Sequence, residues 1–446
     1  MPAVIEVKYF NSFVLSKLVN TSGVPVWRGS ADINQGSTKN WFIEESRITG
    51  GYNNTSVDFG VKAYLVGTSN NASIRGNSMI YSGIYNSRTG INNTNQFSVA
   101  DDISKSADPN NGTIQKLYAE NTNLIIFQEN KVSRALIDKD AIYTAEGSSI
   151  TTSGDEVIGQ IQAYAGEWGI SKDPRSFAVY GYQKYFTDRS NNVVLRLSND
   201  GITEISSYGM KSFFTKALTN LGNGKLIGGY DVVTKSYILS LQQSNSYDTL
   251  AFDETVNGWT SFYDYRPSNI FSINSSYYTT YGNKLYKHHQ EGLSLNNRGK
   301  FYESYYPSSV TLILNGNTSV SKVFKTINYE GSDGWKVSSI DTSYDSGNNI
   351  WSYVEGAYDS ANPPNVGTAA TVRPIYRAGF QRKENKYFAN IVNNTVAREG
   401  EIVWGSSMSG IKGFFSIVKV ETDSVTKVGE FKELFAVSSE YIESSY

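Results

Sequence analysis

Residues 175–214 read RSFAVYGYQKYFTDRSNNVVLRLSNDGITEISSYGMKSFF, and this stretch decides the fold class. SFAVYGYQKYFTD sets aromatic and β-branched residues at near-alternate positions, the period of a half-buried strand. Asp188-Arg189-Ser190-Asn191-Asn192 is a polar break of residues that tolerate turn geometry. VVLRLS is a second strand, Asn199-Asp200-Gly201 a tight turn, and ITEIS a third strand. Three short antiparallel strands cannot close a core alone, so one face must pack on neighbours. Related units are therefore expected on either side.

Upstream, IQKLYAENTNLIIFQENKVSRALID repeats the strand-turn-strand-turn-strand pattern. Downstream, KLIGGYDVVTKSYILSL and TLAFDETVNGWTSFYDY form a third copy, with turns at Tyr230–Ser236 and Asp253–Gly258 and Trp259 opening the last strand. IFSINSSYYTTYGNKLYKHH is a thinner fourth copy, turning at Tyr281-Gly282-Asn283. The copies recur at roughly the 40–45-residue period of propeller blades, though irregularly. In a propeller each small sheet buries its faces on adjacent blades; a β-sandwich with long loops is the alternative. VIEVKYFNSFVLSKLV (4–19) and residues 41–66 carry further strand signals around a break at Gly50-Gly51. Two segments read as helical. YGMKSFFTKALTNLG shows an apolar face of Met210, Phe213, Phe214, Ala217, Leu218 and Leu221 before Gly222, and Asp101–Asp108 is expected to form one or two helical turns.

From about Ser309 the strands lengthen. Residues 356–374 hold three of the nine prolines and read as an excursion loop. Asp423–Gly429 is expected to break a hairpin between two late strands. The fold class expected is all-β, a β-propeller-like region followed by a β-sandwich-like C-terminal domain. The expected domains are 1–60 (N-terminal strands and loop), 61–308 (propeller-like) and 309–446 (sandwich-like).

Composition agrees: 39% hydrophobic and 13% aromatic residues supply cores, with 32 Tyr and 39 Gly favouring strands and turns. A net charge of −2 sets up no field toward nucleic acid or acidic membranes. Without cysteine there is neither a disulfide framework nor a thiolate site. The N-terminal residues do not read as a signal peptide, and no apolar run reaches the ~20 residues of a membrane span. A soluble, cytoplasm-made protein is expected.

Candidate chemistry is thin. His288-His289 are the only histidines, and neighbours on a regular strand face opposite ways, so a solvated strand end is expected. Glu44-Glu45, Asp101-Asp102 and Asp253-Glu254 are the paired carboxylates a glycosidase would need, each in a turn or loop. Residues 405–410 hold no nucleophile elbow. Gly50-Gly51 and Gly228-Gly229 open no helix and so make poor phosphate cradles. Asp188–Asn192 and Asp341–Asn349 match no calcium loop. Arg373, Arg377, Arg382, Lys383 and Lys386 could touch nucleic-acid phosphates, but Glu384 interrupts them beside only Tyr387 and Phe388, and a solvated or subunit-interface face is expected. No catalytic, cofactor-binding or metal residue is assigned, and no cofactor is expected.

IYSGIYNSRTGINNTNQF, IQKLYAENTNLIIFQENKVSRALI, FAVYGYQKYFTDRSNNVVLRLSNDGITEIS, YDVVTKSYILSL with LAFDETVNGWTSF, and the closing GIKGFFSIVKVETD with KELFAVSSEYIESSY resemble virion structural proteins of tailed phages. The similarity is to tail-nozzle (tail tubular) proteins of short-tailed phages and muzzle-type proteins of crAss-like phages. The resemblance implies a non-enzymatic subunit of a six- or twelve-fold tail ring through which DNA exits. It would be assembled in the host cytoplasm with other tail proteins and touch DNA transiently in the lumen. Residues 86–96, 356–374 and 431–446 are expected to make the contacts. The rival is a glycan-binding or glycan-cleaving receptor protein; a host propeller adaptor is a third reading.

Overall fold

A computed structural model gives the fold. It describes residues 75–83, 85–92, 104–120, 123–143, 149–290, 298–347, 349–353, 378–393, 410–427 and 430–444, with short pieces at 4–7, 48–49, 94 and 96–98. The described residues are nearly all β, with one α-helix, Lys211–Thr219. They fall into two compact units. The first holds residues up to Tyr230 together with Lys235–Ser261, and the second holds Asp231–Thr234 and everything from Phe262.

In the first unit, hairpin-connected strands pair in sequence order. Ile114–Glu120, Asn123–Gln128, Val132–Tyr143 and Ser149–Ala163 form one four-stranded antiparallel sheet. Ala178–Tyr180, Gln183–Asp188, Val193–Ser198 and Gly201–Glu204 form the second. Lys225–Asp231, Ser236–Gln242, Tyr247–Asp253 and Gly258–Tyr263 form the third, whose two outer ends pass into the second unit. The stretch expected as one strand over 176–188 is thus two. Tyr180 pairs with Gln183 across Gly181-Tyr182, and Gly181 takes a φ of 57°. Glycine at the first centre of a two-residue loop is what a tight hairpin needs.

Aromatic packing joins these sheets. Phe127 meets Phe177 and Phe186 edge-on at 5.3 and 5.1 Å, inside a core with Ile125, Val132, Leu195 and Leu197. Tyr185 stacks on Tyr237 at 4.7 Å, and Tyr180 on Tyr230 at 4.2 Å. Tyr185 is wholly buried, and its hydroxyl lies 2.9 Å from Glu254 Oε1. Glu254 also receives Arg196 Nη1 at 2.8 Å. Burial and the Glu254 charge together push the Tyr185 hydroxyl far above its usual pKa, so it stays a donor. The Lys211–Thr219 helix follows the second sheet as expected, burying Phe214 and Leu218. Phe214 packs 4.6 Å from Trp259, whose Nε1 donates to the Ile205 carbonyl.

Two expected features are corrected. Asp101–Asp108 does not form helical turns where it is described: Ser104–Ser106 is a strand paired with Ser78–Ile80. The alternate Ser104 and Ser106 face outward, Ser106 meeting Ser78 Oγ at 2.8 Å, a period-2 pattern no helix matches. A 3-10 turn follows at Pro109–Asn111, capped by Asp108.

In the second unit, Asn269–Ile273, Ser276–Tyr281 and Lys284–Lys287 make a three-stranded meander. Two larger sheets follow. One pairs Ser309–Leu314, Ser416–Thr422 and Trp335–Thr342, and the other pairs Gln381–Lys383, Lys386–Asn390, Lys322–Gly331 and Leu434–Glu443. Alternate residues of both sheets meet in one core: Phe324, Ile327 and Tyr329 from one, Val337, Ile340, Val418 and Val420 from the other. The second correction lies here. Ser416–Thr422 and Leu434–Glu443 are not a hairpin, because they belong to different sheets. Asp423 turns the chain between them, accepting from the Val425 and Thr426 amides and from Thr426 Oγ1, with Ser352 as a further donor.

Gly228 illustrates how closely the first unit is packed. A Cβ there would fall 2.0 Å from the Ser176 carbonyl oxygen, which already accepts from Tyr237 at 2.7 Å. Backbone, not a flexible side chain, would have to yield. Gly228→Ala should therefore destabilise the protein by about 1–3 kcal/mol, the usual range for overpacking, read as a lower denaturant midpoint at unchanged m-value.

Candidate functional site

A cleft of about 1180 Å³ lies within the second unit. Its walls are rings from the three-stranded meander and the hairpin Lys300–Phe301/Ser304–Tyr305. Tyr265 and Tyr277 are buried and share a hydroxyl–hydroxyl contact of 3.0 Å. Both histidines stand among them. His288 packs 5.0 Å from Tyr265 and 4.9 Å from Tyr277.

The expected solvated strand end holds for His289, which is exposed just past Lys284–Lys287, but not for half-buried His288, and both imidazoles are engaged. His288 Nε2 lies 2.7 Å from Thr279 Oγ1. Tyr302 donates to that same Oγ1 at 2.9 Å, which frees the Thr279 hydrogen for His288. A neutral ring with Nε2 accepting fits this arrangement. Burial, and then the neighbouring His289, bring the His288 pKa down to about 4. His289 Nε2 meets Asp231 Oδ2 at 2.6 Å, and Asp231 also accepts from the Val233 amide. Burial alone would raise the Asp231 pKa, but these bonds hold it below the usual carboxylate value.

Chemically, these groups do not combine. Asp231 orients His289, whereas the hydroxyl that bonds an imidazole, Thr279, bonds His288. The base–orienter pair and the hydroxyl–base pair sit on different rings, and nucleophilic catalysis needs both on one. Among the described residues no group of three His, Cys, Asp or Glu side chains could hold a metal ion.

The remaining candidates act as braces or fall elsewhere. Glu254 serves Tyr185 and Arg196, while Asp253 accepts from the Thr255 amide. Asp188, wholly buried, accepts from Gly169 N, Ser171 Oγ and both Asn191 nitrogens. Gly228 is a close-approach glycine. Thr342 Oγ1 accepts from the Tyr344 and Asp345 amides, closing the turn after Asp341. In the basic cluster, Lys386 pairs with Glu330 and Arg382 bonds Asn385. Glu44-Glu45, Gly50-Gly51, Asp101-Asp102, Arg373, Arg377, residues 405–409 and the loop 356–374 lie outside the described residues. The sequence reading passed over Lys184, which is 2% exposed and paired with Glu120. Its only sequence signal is its place two residues before Phe186, on the same face of the strand.

Comparison with known proteins bears on the second unit. Residues 296–394 match the family described as the Crassvirus muzzle protein C-terminal domain. The resemblance to crAss-like muzzle proteins is borne out. A muzzle protein of Bacteroides phage crAss001 is 21% identical over 245 residues, covering 51% of this chain. The matched stretch is 16% of that phage protein's length. The family match begins just before the Lys300–Phe301 hairpin strand and runs through Lys322–Gly331 and Lys386–Asn390. No helix among the described residues is long and apolar enough to cross a membrane.

Two outcomes follow from these side chains. A folded His288 pKa of about 4 lies below the unfolded value of 6.5, so between the two the unfolded chain holds more protons and stability rises with pH. Acidifying from pH 7 to 4 should lower stability, by up to about 3 kcal/mol from this group, and His288→Gln should flatten that slope in denaturant titrations. Asp188→Ala strands a buried Gly169 amide and should cost about 1–3 kcal/mol, measured by thermal unfolding.

Proposed function

We propose that the chain is a non-enzymatic structural subunit of a crAss-like phage tail, a muzzle or nozzle component lining part of the DNA exit path. The observation that carries this is the match of residues 296–394 to the muzzle C-terminal domain, within a two-sheet region of compact core. The consecutive antiparallel meanders between residues 114 and 287 support reading 61–308 as propeller-like. The single core between the two large sheets supports reading 309–446 as a sandwich, with 1–60 a separate N-terminal element. In this reading, copies form a closed ring of six or twelve in the host cytoplasm, join other tail proteins, and contact DNA in passing. Ring closure by rotation sets two different surfaces of each copy against each other.

The commitment of the histidines, Asp188 and Glu254 to internal bonds agrees with a protein that acts by shape and association. Electron microscopy with peptide mass spectrometry of purified virions tests the proposal. The expected result is this chain at the distal tail in a fixed multiple of copies. Infectious particles that lack it would overturn the reading.

A further inference from the structure

The second of the large sheets ends in two strands of opposite charge. Leu434–Glu443 pairs with Lys322–Gly331 on one side and, among the described residues, is the terminal strand there. Its sequence, LFAVSSEYIE, has neither proline nor lysine, the usual protections of an open edge. Phe435 and Ile442 are 73% and 61% exposed. The terminal strand on the far side is Gln381–Lys383, QRK, followed by Lys386. One edge thus carries Glu440 and Glu443, the other Arg382 and Lys383.

The register puts the charges on one face. Glu330 pairs with Ala436 and with Lys386, and Lys386 with Lys383. Ile327 and Tyr329, which point into the core, pair with Ser439 and Val437. Lys383 and Glu440 therefore share the outward face. Both are exposed, and neither has an ion-pair partner among the described residues. Direction matters too. Three successive antiparallel pairings separate the two edges, so the edge strands run in opposite senses. A neighbour placed head-to-tail would present its Gln381–Lys383 strand antiparallel to Leu434–Glu443.

We infer that the occupant of the Leu434–Glu443 edge is the Gln381–Lys383 edge of a second copy of this chain. The two copies continue one antiparallel sheet, with the Lys383 and Glu440 side chains adjacent. Self-pairing of two Leu434–Glu443 strands is disfavoured because it joins two acidic edges, where like charges repel. The inference rests on the ring reading and specifies which surfaces meet.

The chain has no cysteine, so an introduced pair reports contact without background. Full-length Lys383→Cys protein is mixed with full-length Ser438→Cys, Glu440→Cys or Ile442→Cys protein and oxidised mildly. The solution mass is followed by light scattering. The expected result is oligomers, with a covalent 383–440-type dimer at least tenfold more abundant than either variant gives alone. Oligomers without that crosslink, or with 440–440 dimers dominating, would overturn the edge assignment and leave the ring reading standing. A monomer at every concentration would overturn both. As a second readout, Glu440→Lys should weaken association at least tenfold, and adding Lys383→Glu should restore it. A double reversal that restores nothing would count against the pairing.

Discussion

The structure depends on a narrow sheet's need to bury aromatic faces while pairing the hydroxyls of Tyr185 and Tyr237. A meander of four short strands has too little area to stand alone, and in the first unit Phe and Tyr rings join neighbouring sheets. Stacking Tyr185 on Tyr237 and Tyr180 on Tyr230 removes large apolar areas from water, and offset ring pairs gain about 0.5–1.5 kcal/mol beyond that burial. Each buried hydroxyl then needs a partner. Tyr237 finds the Ser176 carbonyl, and Tyr185 finds Glu254. The partners impose the next layer: Glu254 requires Arg196, and the Ser176 carbonyl requires Gly228 opposite it.

The same constraint explains what was legible in the sequence. Strand existence in residues 114–287 could be read because aromatic and β-branched residues alternate and the turns hold Asn, Asp and Gly. The Lys211–Thr219 helix could be read because Phe214 and Leu218 recur at helical spacing. Sheet membership could not. Ser416–Thr422 and Leu434–Glu443 look like the arms of a hairpin around Asp423, yet Asp423 bonds Ser352 and the Thr426 amide and sends the chain to the other sheet. That outcome depends in part on Ser352, 71 residues away, which local pattern does not encode. The Gly181 break was hidden for the reverse reason: a two-residue turn inside an aromatic run looks like one strand.

The site was the least legible part. Two adjacent histidines at a strand end suggest solvent by alternation alone. Their environment is set by Asp231, 58 residues earlier, and by Tyr302 acting through Thr279. Neither partner carries a motif. Asp231 bonds His289 at 2.6 Å, while burial among the aromatic walls brings the His288 pKa down. Two identical side chains in sequence thus differ in electrostatic role because one faces a carboxylate and the other faces rings.

That division also bears on why the protein reads as architectural. Catalysis by general base and nucleophile requires an uncommitted group poised beside a convergent partner. Here Asp188, Asp231 and Glu254 each bond two or more protein groups, and their removal would leave those groups short of a partner. A carboxylate in that position is a fastener, and the free energy of its bonds goes into holding turns rather than into a transition state. Among the described residues of the second unit, Lys383 and Glu440 are exposed without an ion-pair partner, the kind of group the proposed assembly would use. Among the described residues the polar chemistry is therefore divided: inward-facing groups fix the sheets, and on the proposed reading the outward-facing ones serve association.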